Sequence, residues 1–326
     1  MKKNAGWSVL LFAALIPMLY HADYVTEGAK YGLLLWYQSV VPALFPVMVI
    51  SGLIVGSGGI PVIMAPVYQL LHVVLPVSRD GCYVLTAGFL CGYPMGAKTC
   101  ADFIREGRIS ATEGQFLMAI CNHPSPMFLL GYVYPFFSEW LNIKVLLAAV
   151  YSPVIILAMV SRWFYFGRNG MHMKMQSSST EPPEYISKMT ATDDYTGKND
   201  MPVSSDETIL SAVTILCKIG GYLVLFSIMI VFLQNMKWIP AYLRLFLMGI
   251  LEMTTGIREL CKSLPPVNSF IASAAALTFG GFSGIFQTKA VLGNEKKAGL
   301  SIRPYVVWKL LHAVLSAGIA FLSCKI

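Results

Sequence analysis

The chain has 326 residues, of which 56% are hydrophobic and only 13% charged, and it carries a net charge of +7. A soluble domain carries about 25% charged residues, and the mean hydropathy of +0.63 points the same way: water is not the main solvent. The basic residues are scattered at the edges of apolar segments with no run of interleaved aromatics. That sets nucleic acid aside as a partner and fits Lys and Arg flanking membrane helices beside anionic headgroups.

In chain order, Lys2 and Lys3 followed by Trp7 to Tyr20 have the charged and apolar regions of a signal peptide. No small-residue cleavage site follows, so the stretch reads as a first membrane helix or anchor. Apolar segments lie at about 7–21, 31–55, 60–76, 113–137, 143–165, 209–234, 240–260 and 302–323, close to the roughly 20 residues a helix needs to cross the hydrocarbon core. Two further stretches, 82–107 and 268–299, mix apolar runs with clustered Gly, Ser, Thr and Lys. Non-helical backbone at membrane depth is tolerated only where protein buries it or a wet cavity hydrates it, so these read as re-entrant hairpins or broken helices. Residues 167–207, with Ser177-Ser178-Ser179-Thr180, Pro182-Pro183 and Asp193-Asp194, form a polar linker.

The predicted fold is therefore an all-α polytopic membrane protein. An N-terminal membrane repeat, 1–166, carries a hairpin at 82–107; the linker is 167–207; a C-terminal repeat, 208–326, carries a hairpin at 268–299. The relation between halves rests on Leu85-Thr86-Ala87-Gly88-Phe89-Leu90-Cys91-Gly92, which returns as Leu277-Thr278-Phe279-Gly280-Gly281-Phe282-Ser283-Gly284, a shared L-T-x-G-x-x-x-G. With the same offset Gly107 falls on Gly299, and a weaker echo pairs Leu44-Phe45-Pro46-Val47-Met48 with Leu225-Phe226-Ser227-Ile228-Met229. Broken glycine-rich segments at matching places in two halves mark the binding site of many transporters. The alternative is that the glycines serve close helix packing, which leaves unexplained the Lys, Thr and Gln that follow.

Gly92 is followed by Lys98 and Thr99, and Ser283 by Gln287, Thr288 and Lys289. A cation at membrane depth costs about 2.5 to 3.5 kcal/mol on insertion scales unless paired or hydrated. Lys98 and Lys289 are thus functional candidates suited to a carboxylate or phosphate, or else they snorkel from a hairpin exit to the interface. Glu252, with Thr254 and Thr255 in an otherwise apolar segment, would bind a coupling cation or a polar solute, or else pair with Arg244 or Arg258. Asn122-His123-Pro124-Ser125-Pro126 interrupts another apolar stretch, because the prolines leave carbonyls without helical partners; Asn122, His123 and Ser125 then face a cavity. No nucleophile elbow, zinc motif or P-loop is present, so no enzyme is expected. The seven cysteines lack a CxxC pair and read as packing residues.

Gly88-Phe89-Leu90-Cys91-Gly92-Tyr93-Pro94-Met95-Gly96-Ala97-Lys98 with Gly107-Arg108-Ile109-Ser110 resembles the YlbJ family of sporulation integral membrane proteins. The likeness extends through Asn122 to Gly131, through Leu251 to Gly256 and through Gly280 to Gly284. It implies a nucleoside-recognition (Gate) fold similar to concentrative nucleoside transporters, with inverted repeats, two re-entrant hairpins and a solute site between their tips. By that resemblance Gln287, Thr288 and Glu252 hold substrate. It also implies a role in spore formation, with dipicolinate, a small aromatic dicarboxylate, as the solute that Lys98 and Lys289 would suit. His123 departs from the small polar residues usual at its position in the family.

The expectation is an integral protein of a bacterial cell membrane, with the outer forespore membrane as one setting, that moves a small polar solute by alternating access. Its substrate-binding set is Gly92, Lys98, Thr99, Asn122, His123, Ser125, Glu252, Thr255, Ser283, Gln287, Thr288 and Lys289. No cofactor is called for beyond a coupling proton or sodium ion, and assembly as a homo-oligomer is left open. The alternatives are a nucleoside transporter and a membrane scaffold or sensor of sporulation that transports nothing.

Overall fold

The computed structural model describes residues 2–167, 205–293 and 299–325, and among these every regular element is helical. The polar linker expected at 167–207 lies outside the described residues except for its ends.

The first half opens with α1 (Lys2–Tyr20) and α2 (Ala22–Leu35); α2 runs through a π turn at Trp36–Val40 into α3 (Val41–Gly56). Two short helices follow, α4 (Ile60–Ile63) and α5 (Ala65–Val74). Next, α6 (Arg79–Cys91) and α7 (Met95–Arg105) fold back on each other as a helical hairpin. After α8 (Ala111–Cys121) the chain breaks at Asn122–Ser125, resumes as α9 (Pro126–Phe128), and continues through irregular turns to Phe136. The half closes with α10 (Ile143–Phe166). The second half has α11 (Ser205–Asn235), then a hairpin of α12 (Ala241–Leu251) and α13 (Met253–Ser263), a broken helix of α14 (Pro266–Phe279) and α15 (Gly281–Leu292), and α16 (Ile302–Ser323).

Local chemistry sets these boundaries. Ser78 Oγ accepts from Gly81 N–H at 3.0 Å to start α6, Ser110 Oγ from Glu113 N–H at 3.1 Å to start α8, and Asn142 Oδ1 from Lys144 N–H at 2.9 Å to start α10. Each satisfies one of the orphan donors of a helix N-terminus.

At 268–299, where a re-entrant hairpin or a broken helix was expected, the structure has the broken helix and not the hairpin. Gly280 sits in the left-handed region, φ 81°, and interrupts the helix between α14 and α15. α14 packs on α16, whereas α15 packs on α7 and α11. The folded-back pair of this half is α12 with α13, where a Cβ on Gly256 would lie 2.7 Å from the Gly249 Cα, so only glycine lets the arms approach. The L-T-x-G-x-x-x-G echo thus joins a hairpin arm to a helix break, places that do not correspond in the two halves.

The halves meet along α2 and α11 and along α10 and α16. A Cβ on Gly28 would stand 2.5 Å from the Ile228 Cα and one on Gly32 2.6 Å from the Val224 Cα, a small-xxx-small contact of the kind that holds membrane helices together without help from water. Trp36 Nε1 donates to the Leu216 carbonyl at 2.8 Å across the same seam.

Among the described residues, five stretches are long and apolar enough to cross a membrane: 22–56, 143–166, 205–235, 266–292 and 302–323. Their outward faces carry large apolar side chains, with Leu210 67%, Phe164 65% and Val314 69% exposed. Such a surface is costly in water and suited to lipid. The chain is an integral membrane protein.

Candidate functional site

Four interruptions of the helices converge on one cavity: the turn between α6 and α7, the break after α8, the turn between α12 and α13, and the break between α14 and α15. The cavity has an empty volume of about 580 Å³, its mouth included, and its wall takes Gly92 and Tyr93, Pro124 and Ser125, Glu252 and Thr254, and Gly280, Ser283 and Gln287 from those four places. The π turn after α2 adds Ser39 and Val40, and Leu44, Phe128, Ile219 and Leu223 make an apolar side.

Close contacts place each hairpin tip on the break of its own half. Gly92 has φ 76°, and a Cβ there would fall 2.8 Å from Ser125 N; Tyr93 N–H donates to the His123 carbonyl at 3.1 Å. In the second half a Cβ on Gly281 would be 3.1 Å from the Leu251 carbonyl and 3.3 Å from the Glu252 Cα. Tyr93 then ties the halves together. Its hydroxyl contacts Met253 Sδ, and its ring lies 3.8 Å from where a Gly280 Cβ would be.

Glu252 is 1% exposed, yet neither Arg244 nor Arg258 neutralises it. Arg244 donates to the Gln234 carbonyl, and Arg258 pairs with Glu259 and stacks on Tyr31. The carboxylate caps α13 instead: Oε1 accepts from Thr254 N–H at 2.9 Å, and Oε2 from Thr254 Oγ1 at 2.5 Å and Thr255 N–H at 2.8 Å. An anion at a helix N-terminus is compensated by free N–H groups and by the macrodipole. The charge is met within the protein.

Of the predicted set, Gly92, Ser125, Glu252, Ser283 and Gln287 line the cavity. Gln287 Nε2 donates to Ser283 Oγ at 3.0 Å, and Ser125 Oγ accepts from Phe128 N–H at 3.2 Å. Asn122 and Thr288 are buried behind the wall, where Asn122 Nδ2 donates to Thr288 Oγ1 at 3.1 Å and to Tyr305 OH at 2.7 Å. His123 is buried edge-on between Phe89 and Tyr151. Thr255 contributes its N–H to Glu252.

The lysines are elsewhere. Lys98 and Thr99 line a second cavity of about 740 Å³ between α3, α7 and the start of α11, where Lys98 pairs with Asp102. Lys289 is exposed. Sequence reasoning passed over Lys309, whose ammonium donates to the Asn122 carbonyl at 3.0 Å and lies 5.5 Å from the centroid of the Tyr93 ring. A charged residue in the middle of the 302–323 apolar segment was the available signal.

Fold and site together define a polytopic membrane protein with an intramembrane polar cavity built at helix breaks. Over 340 aligned residues the chain is 24% identical to the sporulation integral membrane protein YlbJ of Bacillus subtilis (strain 168), and the match covers 98% of this chain and 82% of that one. No family model matches the chain, and no solved structure does.

Proposed function

We propose that the chain is a transporter of a small polar solute that serves spore formation, with an aromatic dicarboxylate of the dipicolinate type as its leading substrate. The observation that carries this reading is the meeting of four helix interruptions in one cavity, the arrangement in which transporters hold a solute near the bilayer midplane. The sporulation setting is taken from the likeness to YlbJ.

The wall suits such a solute in two ways. Leu44, Phe128, Ile219 and Leu223 offer apolar contact to a ring. At the start of α15 no side chain caps the helix, so its first N–H groups, beside Ser283 and Gln287, are donors for a carboxylate. Glu252, already holding three donors, shapes the hairpin tip rather than competing for the anion.

The placing of the cavity supports alternating access. The cavity draws its wall from both halves in turn, Gly92, Tyr93, Pro124 and Ser125 from the first and Glu252, Thr254, Gly280, Ser283 and Gln287 from the second, the placing of a site between two bundles that alternating access uses. Rocking one half against the other would then open the cavity to either side.

Uptake of labelled dipicolinate into proteoliposomes holding the purified chain, with uridine as comparison and with and without proton or sodium gradients, tests the reading. Saturable dipicolinate flux that is lost in Gln287→Leu, with folding retained, is the expected result. Uridine flux alone would point to a nucleoside-like substrate, and no flux of either from folded, inserted protein would overturn transport in favour of a scaffold or sensor.

A further inference from the structure

Lys309 lies in α16, a stretch apolar enough to span the membrane, and is 2% exposed. A cation buried at membrane depth without compensation is strongly disfavoured, so its partners say what it is for. Among the described residues no carboxylate pairs with it: the acidic groups in ion pairs, Asp80, Asp102, Glu106 and Glu259, go to Arg108, Lys98, Arg105, Arg258 and Lys262, and Glu252 caps α13.

What holds the ammonium is a helix end. Asn122 is the residue that closes α8, and the last carbonyls of a helix lack intrahelical acceptor duty and carry the negative end of its dipole. The Asn122 carbonyl takes the ammonium at 3.0 Å, the face of the Tyr93 ring lies against it, and such a face attracts cations. Asn122 also has its side-chain Oδ1 buried with no hydrogen-bond partner. This corner therefore has oxygen acceptors to spare, directly behind the break where Pro124 and Ser125 reach the cavity.

Unwound carbonyls at the C-terminal ends of half-helices are where membrane transporters bind a coupling sodium ion or proton. We infer that Lys309 is the chain's own cation at the first helix break, standing where a coupling sodium ion would otherwise sit, so that the solute site is completed without sodium. The tether is the side chain itself: Lys309 Cε lies 3.9 Å from where a Gly280 Cβ would be, so the ammonium reaches the first break by passing beside the second. One charge thus links the breaks of both halves. As an account of coupling, the inference rests on the transporter reading; as an account of a cation site, it is tested without flux.

The test uses the full chain in detergent and in proteoliposomes, comparing sodium chloride with N-methylglucamine chloride at equal ionic strength. Wild-type melting temperature and solute flux are expected to be the same in both salts. Lys309→Ala opens a space at the Asn122 carbonyl, and its melting temperature is expected to rise by about 3 °C or more in sodium or methylammonium relative to N-methylglucamine, since a ligand bound to the folded state alone stabilises it. A lysine that only packed α16 would give no cation-selective rescue. Should Lys309→Ala not fold, Lys309→Met, which fills the space without charge, carries the test, with solute affinity expected to fall at least tenfold in every salt. Sodium-dependent flux or melting of the wild type, a folded Lys309→Ala indifferent to small cations, or full affinity in Lys309→Met would overturn the inference. Absence of flux in the wild type would instead count against transport, and the melting comparison would still decide the role of Lys309.

Discussion

Gln115 and Ser301 hold the two halves together as if one were backbone of the other: Gln115 Nε2 donates to the Ser301 carbonyl at 3.1 Å, and Ser301 N–H donates to Gln115 Oε1 at 2.8 Å. The side-chain amide completes the hydrogen bonding of the residue from which α16 starts, 186 positions away. Gln115→Ala removes both bonds at once and leaves a donor and an acceptor at the helix entrance unmet. Its expected cost is about 1 to 3 kcal/mol, read as a lower midpoint in thermal or denaturant unfolding of the detergent-solubilised chain. A midpoint equal to wild type would show that the pair contributes nothing net.

Two glycines, Gly32 on the α2–α11 seam and Gly221 further along α11, predict opposite signs. A Cβ on Gly32 would lie 2.6 Å from the Val224 Cα, a backbone atom that cannot turn aside, whereas around Gly221 nothing comes within 4 Å of such a Cβ. Gly32→Ala should therefore force α2 and α11 apart and cost about 1 to 3 kcal/mol, as overpacking does. Gly221→Ala, on α11, gains helix propensity and should be neutral or stabilising by about 0.5 to 1 kcal/mol. Melting the two variants side by side checks both signs; equal destabilisation would refute the packing argument.

Much of the layout is written locally. Pro124 and Pro126 remove helical donors, and Gly280-Gly281 supplies two positive φ values, so both broken helices announce themselves through residues whose chemistry forbids a smooth helix. The second hairpin does not announce itself. Its turn is made by Glu252, which leaves the helix with φ −146° and caps the next one with its own carboxylate, so the 240–260 segment reads as one apolar run with a carboxylate in it. The first break was legible, but its cation was not, because Lys309 and Asn122 stand 187 residues apart and periodicity carries no information on which distant helix brings a charge to a break. For the same reason Lys98, next to the glycine cluster in sequence, was expected at the solute site, although the turn of α7 carries it into the second cavity.

The cap geometry makes Glu252 a test of structure before function. Two of its three donors go to Oε2 and one to Oε1, so Glu252→Gln must turn an amide NH₂ toward a backbone N–H on one side or the other. The loss expected is about 1 to 2 kcal/mol, the usual range for a removed N-cap, and with it the hairpin tip that shapes the cavity. Flux and melting temperature should fall together in Glu252→Gln, whereas Gln287→Leu should lose flux at near wild-type melting temperature. A Glu252→Gln protein that melts like wild type but no longer transports would reverse the assignment and give the carboxylate a direct hand on the solute or its coupling ion.

The remaining lysines supply a negative prediction. Lys98 is held by Asp102 at 2.5 Å with a quarter of its side chain exposed, in a cavity separate from the one lined by Glu252 and Gln287, and Lys289 is exposed near the end of α15. Neither lysine lines the cavity of Glu252 and Gln287, so Lys98→Gln and Lys289→Gln should each leave solute affinity within about fivefold of wild type, a change of about 1 kcal/mol. The Asn122 carbonyl keeps its own cation in both variants. Titrating dipicolinate against the two variants in proteoliposomes decides the matter: a loss beyond tenfold in either one would mean that the lysine joins the solute in another conformation and shares the carboxylates with the N–H groups of α15.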